Sequence, residues 1–289
     1  MSRPPVINGR VHRSFDLSRL TSIGIGGYAQ YLVDIFDVRS LKKVMVWIRN
    51  NRMRYMVIGS GTNILFPDRG YPGVIIRLAG FFKRIKAVPS GLLVGAGAEL
   101  KDLILRSIKL DRVGMEPLYG IPGTVGGAIR GNAGAFGKTI GDYVERIWVI
   151  NHRGEEMMLF KDRIGFSYRK TELDPRLIIM LAEIKLRKGK ASLKKALSFE
   201  KKRWAKIPKG RSAGCIFKNP PGKSAGKLIE QCGLKGFRIG GVYVSLKHAN
   251  FILNDGSASY SDVVRLIRII RNRVKGIGIN LELEVKVVR

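Results

Sequence analysis

The sequence predicts an α+β protein, and three observations predict it. Strand-like and helix-like patterns alternate through the first third of the 289 residues. Three β-rich segments then follow a glycine-rich loop, near Val144–Asn151, Glu155–Phe160 and Arg176–Leu186. The last third returns to two amphipathic helices and closes on "NLELEVKVV", in which apolar and charged residues alternate. A chain of this length accommodates two or three domains, each with its own core.

In order along the chain, "SLKKVMVWIRNN" offers Ser40 as an N-cap, with Leu41, Val44, Met45 and Ile48 at helical spacing. The β-rich run Tyr55–Ile58 ends abruptly in "GSGTNILF", and a second apolar run, Val74–Ile76, completes a βαβ-like opening. "LLVGAGAEL" leads into a helix whose apolar face is Leu100, Leu103, Ile104 and Ile108. A basic helix over about 193–204 reaches "IPKGR", which reads as a domain boundary. Beyond it, Ser224 is a cap and Gly233 a stop for a helix with Leu228, Ile229 and Cys232 on one face. Cys232 therefore reads as a small buried hydrophobe. A second helix, "SDVVRLIRIIRNRVKGIG", has Val263, Ile267, Ile270 and Val274 on its inner stripe. In the closing strand, alternation puts Glu284 on the face opposite Leu283 and Val285.

Composition narrows the function classes. No apolar run is long enough to cross a bilayer, and the amino terminus has no apolar segment of the kind a signal peptide needs. Two cysteines without such a signal point to the reducing cytoplasm. The histidines His12, His152 and His248 lie far apart, without metal-ligand spacing, so no metal is expected. The formal net charge of +31 attracts polyanions and phosphate-bearing small molecules alike. Its densest run, Lys185–Arg211, holds twelve Lys or Arg and one acid, Glu200. Few aromatics interleave with those bases, so the run reads as a solvated face rather than a single-strand stacking platform.

Two glycine loops carry the first chemical signal. "GSGTNILF" (Gly59–Phe66) sits where a strand ends, a position suited either to a tight turn or to presenting N–H groups to a phosphate. It matches neither a Walker A loop nor the GxGxxG entry to a helix. "YGIPGTVGGAIRGNAGAFG" holds seven glycines between Gly120 and Gly137, which calls for positive φ or for a ligand too close for any Cβ. Together the loops could wrap a large dinucleotide by main chain alone.

The segments "GSGTNIL", "GIPGTVGGAIRGNAGAFG", "YRKTEL", "SAGCIFKNP", "SAGKLIEQCGLKGFRIGG", "KHANFILN" and "LELEVKVV" occur in the order found in the UDP-N-acetylenolpyruvoylglucosamine reductase family. The chain resembles that family over nearly its whole length, and its shorter members in particular. Seven motifs in register make the resemblance specific. Two departures are visible: Gly131 where a bulkier residue usually precedes Asn-Ala-Gly, and Leu283 where proline is common. The resemblance implies a vanillyl-alcohol-oxidase-type (PCMH-like) FAD-binding fold of two α/β subdomains, residues 1–80 (joined by the C-terminal strand 280–289) and 81–205. A C-terminal α/β substrate-binding domain, residues 206–279, completes it.

The implied reaction is the reduction of UDP-N-acetylglucosamine enolpyruvate to UDP-N-acetylmuramate for peptidoglycan, with FAD as cofactor and NADPH as hydride-donating co-substrate. FAD is expected at Gly59, Ser60, Gly61, Thr62, Asn63, Ile64 and Leu65. Its second contact is expected at Ile121, Pro122, Gly123, Thr124, Gly126, Gly127, Asn132 and Gly134. An anion developing beside the substrate carboxylate needs a proton donor, a cation and a polarising group. Cys215 matches the family's proton donor, most often serine. From the residues alone a buried core cysteine and a redox thiol are competing readings. Arg169 matches the arginine that steadies the carboxylate, and Glu284 the active-site glutamate. Tyr168, Lys218, Asn219 and His248 fall at substrate-side positions, although His248 and Tyr168 also suit purely structural roles. Another flavin oxidoreductase of the same fold and a basic nucleic-acid-binding protein are the alternatives. The "CIFKNP" and "LELEV" motifs speak against the first, and nucleic acid is not expected despite the charge.

Overall fold

A computed structural model describes residues 2–289. The chain divides into two compact units, each discontinuous in sequence: residues 1–13, 31–59 and 73–203 form one, and 14–30, 60–72 and 204–289 the other.

The first unit is built on two sheets. One has four strands in the spatial order Gly9–Asp16, Tyr28–Ile35, Tyr71–Leu78, Arg54–Ile58. Its last pair is parallel, with Tyr55 opposite Val74 and Val57 opposite Ile76. The intervening helix α1 (Val38–Asn50) buries Leu41, Val44, Met45, Trp47 and Ile48 on one stripe, so the βαβ opening read in the sequence is present. Its start differs from expectation. The cap is Asp37, whose carboxylate accepts from the Ser40 N–H at 2.7 Å, and that bond holds the Asp37 carboxyl below its ordinary pKa. Ser40 lies inside the first turn, its Oγ accepting from the Asn8 N–H at 2.9 Å. A carboxylate three residues upstream thus displaces the hydroxyl as cap.

The other sheet has five antiparallel strands in the order Glu156–Phe160, Val144–Ile150, Ile178–Lys185, Gly91–Gly95, Ile85–Val88. The three β-rich segments expected after the glycine loop are therefore neighbours within one sheet. Helix α2 (Leu100–Lys109) buries Leu100, Leu103 and Ile104, and α3 (Val125–Arg130) rises from the glycine loop. A continuous core of β-branched and aliphatic residues fills this unit.

The second unit has a core of its own, from Ile23 and Leu65 through Ile216, Ile229 and Ile267 to Val285. Helix α4 (Leu193–Trp204) matches its expected bounds and ends at the chain's passage into this unit. Helix α5 (Ala225–Gln231) is capped by Ser224, whose side chain accepts from the Lys227 N–H, and Gly233 follows its end at φ +71°. Cys232 packs partly buried against this core. Helix α6 (Tyr260–Lys275) opens on a reciprocal Ser259–Asp262 capping box and buries Val263, Leu266, Ile267, Ile270 and Val274. A three-stranded sheet, Arg238–Ile239, Val242–Val244 and Ile252–Asn254, lies beside these helices in sequence.

The closing segment departs from the regular strand its alternation suggested. Leu283 bridges Phe217, and only Lys286–Val287 forms a ladder, parallel to Ile64–Leu65. The segment changes partners midway because both Glu284 and Val285 direct their N–H groups at the Ile216 carbonyl, at 2.8 and 3.3 Å. Glu284 is half-buried there rather than on a solvent face.

Candidate active site

The candidate residues divide between the units. Gly59, Ile121–Gly134, Tyr168 and Arg169 belong to the first; residues 60–65, Cys215, Lys218, Asn219, His248 and Glu284 belong to the second.

In the second unit, backbone pairing gathers one set. The Ile216 N–H donates to the Asn250 carbonyl at 2.9 Å, and Cys215 bridges Phe251. On the other side, Glu284 donates its N–H to Ile216 and Lys218 donates to Glu282, both at 2.8 Å. Cys215 and Glu284 thus lie on neighbouring backbones, separated by 69 residues of sequence (284 − 215). The first glycine loop joins them: Asn63 Nδ2 donates to the Glu284 carbonyl at 3.0 Å, and the Asn63 carbonyl accepts from the Lys286 N–H at 3.1 Å.

That loop is fixed from below. Ser22 donates its N–H to the Gly61 carbonyl at 3.0 Å and its Oγ to the Ser212 carbonyl at 2.6 Å. Gly61 sits at φ +65°, and a Cβ there would lie 1.7 Å from the Leu20 carbonyl oxygen, so no other residue fits. Among the described residues, the N–H groups of Gly61, Thr62 and Asn63 donate to no backbone carbonyl. A rigid turn whose N–H groups meet no backbone carbonyl can present them to an anion.

The substrate-side residues of this unit are already engaged. Lys218 Nζ pairs with Glu282 Oε1 at 2.6 Å and keeps two further donors. Asn219 Oδ1 accepts from the Ala225 N–H at 3.0 Å. His248 accepts the Asn250 N–H on Nδ1 at 3.2 Å, and its ring meets Phe251 edge-on, 5.0 Å between centroids. Burial holds its imidazole below the ordinary pKa.

In the first unit, the second glycine loop behaves differently from the first. Its N–H groups are largely claimed: Val125 donates to Ala98 and Gly126 to Ala96, each at 2.8 Å, and Gly127 to Thr124 Oγ1 at 3.3 Å. Gly59 is needed because a Cβ would stand 2.4 Å from Thr124 Oγ1, and Gly126 because one would stand 2.9 Å from Ala96 Cβ. Gly127 is exposed and has no such reason. A Cβ there would meet only Thr124 Oγ1, at 3.4 Å, and one at Gly131 only the Gly127 carbonyl, at 3.6 Å. Glycine inside a helix is unfavourable by ~0.5–1 kcal/mol relative to alanine, and Gly127 leaves open space in which a group outside the chain could approach the backbone.

Arg169 occupies a two-residue turn, closed by bonds in both directions between Ser167 and Lys170, at 3.0 and 3.2 Å. Its φ of +55° lies in the left-handed region, unusual for a residue other than glycine. Its guanidinium carbon stands 5.8 Å from the centroid of the Tyr168 ring, which is itself exposed. The second loop holds this turn. Asn132 Nδ2 donates to the Ser167 carbonyl at 2.8 Å while its Oδ1 accepts from the Gly141 N–H at 3.1 Å. Arg130 donates to the carbonyls of Leu173, Asp174 and Leu177.

Four residues that position the site gave no usable signal in the sequence: Ser22, Arg130, Asn250 and, as the brace of the turn, Asn132. Asn250 is 3% exposed and clamps Phe217 twice, accepting its N–H at 3.0 Å and donating to its carbonyl at 2.8 Å. Only its place in "KHANF" hinted at a role.

Comparison with known proteins sets this geometry in a family. Residues 206–288 match the model of the UDP-N-acetylenolpyruvoylglucosamine reductase C-terminal domain, and residues 29–159 that of an FAD binding domain. A UDP-N-acetylenolpyruvoylglucosamine reductase from Carboxydothermus hydrogenoformans is 41% identical over 287 residues, spanning 98% of this chain and 95% of its own. The chain belongs to the UDP-N-acetylenolpyruvoylglucosamine reductase family. The reductase of that name from Chlamydia abortus is 35% identical over 96% of this chain and 94% of its own. The crystal structure of the UDP-N-acetylenolpyruvylglucosamine reductase from Thermus caldophilus superposes with a TM-score of 0.84 at 37% identity, over 97% of this chain and 100% of that one. A 6-hydroxy-D-nicotine oxidase from Arthrobacter nicotinovorans, 14% identical, covers 98% of this chain and 63% of its own at a TM-score of 0.50 and shares the fold alone. The reductase-family chain thus has the α+β, vanillyl-alcohol-oxidase-type fold. Each loop, taken within its own unit, suits part of an FAD: the Gly61–Asn63 N–H groups suit a phosphate, and the open face of Gly127 leaves room for a close-lying group.

Proposed function

We propose that this protein is an FAD-dependent NADPH oxidoreductase that reduces UDP-N-acetylglucosamine enolpyruvate to UDP-N-acetylmuramate, a step of peptidoglycan precursor synthesis. The observation that carries the assignment of roles is the backbone pairing of Cys215–Lys218 with Glu282–Glu284 on the fixed first glycine loop. FAD, held at Gly59–Leu65 and Ile121–Gly134 when bound, supplies the hydride that NADPH brings. Residues 1–80 with 280–289 and residues 81–205 serve that cofactor, and residues 206–279 the substrate.

The chain's own groups manage charge and protons. Hydride arriving at the methylene carbon leaves electron density on the adjacent carbon and its carboxylate. Arg169 meets that carboxylate with its planar fork, already preset by the left-handed turn. Cys215 delivers the proton to the adjacent carbon. A thiol is far more acidic than a hydroxyl, which suits it to general acid catalysis. Glu284, on the neighbouring backbone, can polarise the developing enolate only as the protonated acid or when held by cations, because a bare carboxylate would oppose that charge. Lys218, Asn219, Tyr168 and His248 line the approach of the anionic nucleotide-sugar. Neither Cys215 nor Cys232 is in a disulfide, in keeping with a cytoplasmic enzyme. Nucleic acid has no part in this function.

Separate measurement of the two half-reactions tests the reading. Cys215→Ala is expected to oxidise NADPH at a near-normal rate while consumption of the enolpyruvyl substrate falls by ~10²–10⁴-fold. Cys215→Ser recovers much of that loss. Equal slowing of both halves, or a loss under about tenfold in the second, would leave the thiol a packing residue.

A further inference from the structure

Helix α4 (Leu193–Trp204) packs its inner side against the second glycine loop but carries an outer face that the reductase function does not use. Its inner side is small: only Ala196 is fully buried, and Phe199 meets Phe136 of the second glycine loop at a tilt of 44°, ring centroids 4.9 Å apart. Leu193, Leu197 and Trp204 are instead 45%, 46% and 49% exposed. At 3.6 residues per turn these three fall within about 40° of one another, one continuous apolar stripe on the outer surface. Lys194 and Lys201 stand next to the stripe, about 40–60° further round, and Lys195 and Lys202 continue the basic arc. Exposed leucines and a tryptophan have no benefit on a solvated face. The basic composition alone, which reads as a solvated surface, does not account for them.

We infer that α4 is an interfacial helix that docks this enzyme on an anionic lipid bilayer, its Leu193–Leu197–Trp204 stripe in the headgroup–acyl boundary and its lysines among the acidic headgroups. Charge complementarity selects this occupant. One flank of the stripe carries ammonium groups on long stems that can reach headgroup phosphates while the helix lies flat. The other carries the single acid Glu200, outweighed by those lysines and by the chain's formal net charge of +31. A nucleic acid would gain nothing from the two leucines, because its backbone is read by cations and its bases by aromatic faces. No helix of the described residues is long and apolar enough to cross a membrane, and α4 has no need to. A stripe of three residues gives weak, reversible attachment in which both the apolar and the electrostatic part are required.

The test uses the FAD-loaded full chain with vesicles of phosphatidylglycerol mixed with phosphatidylcholine and, separately, of phosphatidylcholine alone. The expected result is sedimentation with the acidic vesicles only, reversed by salt, with a blue shift of tryptophan emission that Trp204→Phe removes. Leu193→Gln/Leu197→Gln is expected to weaken partitioning at least about tenfold with thermal unfolding, flavin content and turnover unchanged. Lys194→Gln/Lys201→Gln weakens it as well. Absence of binding to acidic vesicles overturns the inference. So does binding that the lysine pair controls and the leucine pair does not, which is adsorption by charge alone. Loss of flavin in the leucine variant also overturns it, since the stripe would then belong to the cofactor site. Tight, salt-sensitive binding of a single-stranded oligonucleotide that displaces the vesicles and persists in the leucine variant would reassign the helix to nucleic acid.

Discussion

At the scale of single residues, two buried amides brace the segments that carry candidate site residues. Asn132 holds the turn on which Arg169 is displayed, and Asn250 clamps Phe217, two residues beyond Cys215. Both are buried amides with both ends bonded, the state in which such groups fix geometry rather than weaken it. His248 belongs to the same scaffold and makes a pH-dependent contribution. Burial lowers its pKa below the ordinary 6.5, so the unfolded chain takes up its proton at higher pH than the folded one. Stability is fully present above pH 6.5 and falls as pH drops from there toward the folded-state pKa. Denaturant titrations across this range should show that decline in the parent protein and a flatter one in His248→Gln. An unchanged slope in the variant would remove His248 from the titration.

At the scale of elements, local signals were legible and long-range ties were not. The stripes of α1, α2 and α6, the Ser224 cap and the bounds of α4 follow from spacing within a few residues. The glycine loops were legible as special backbone, but not how they differ. Which N–H groups a loop keeps free depends on carbonyls elsewhere in the chain, such as Ala96 and Ala98. The left-handed turn at Arg169 left no mark, since neither Tyr168 nor Arg169 is a turn-forming residue. The closing segment read as one strand because alternation records faces and not partners. The two loops predict opposite outcomes for substitution. Gly61→Val collides with the Leu20 carbonyl and should unfold the second unit's loop as well as abolish flavin binding. Gly127→Ala meets nothing closer than 3.4 Å and should stabilise the flavin-free protein by ~0.5–1 kcal/mol while lowering its flavin content. Calorimetry of the flavin-free protein together with the 450-nm region of the loaded one reads both; a Gly127→Ala protein that holds flavin normally would contradict the role given to that open face.

At the scale of the whole molecule, two units with separate cores are each assembled from distant stretches, so the first glycine loop shares a core with the C-terminal third. Topology of this kind cannot be read from periodicity. The net charge of +31 acts at the same scale, drawing in anionic ligands before any contact forms. Raising salt should therefore lower kcat/KM for NADPH and for the nucleotide-sugar while leaving kcat nearly unchanged; a kcat/KM constant over a wide salt range would remove that role. The central claim is tested most directly by turnover of the purified yellow protein. NADPH oxidation should proceed at a catalytic rate only when UDP-N-acetylglucosamine enolpyruvate is present, with one UDP-N-acetylmuramate formed for each NADPH consumed. A colourless protein, or NADPH oxidised equally fast without that substrate, would contradict the account.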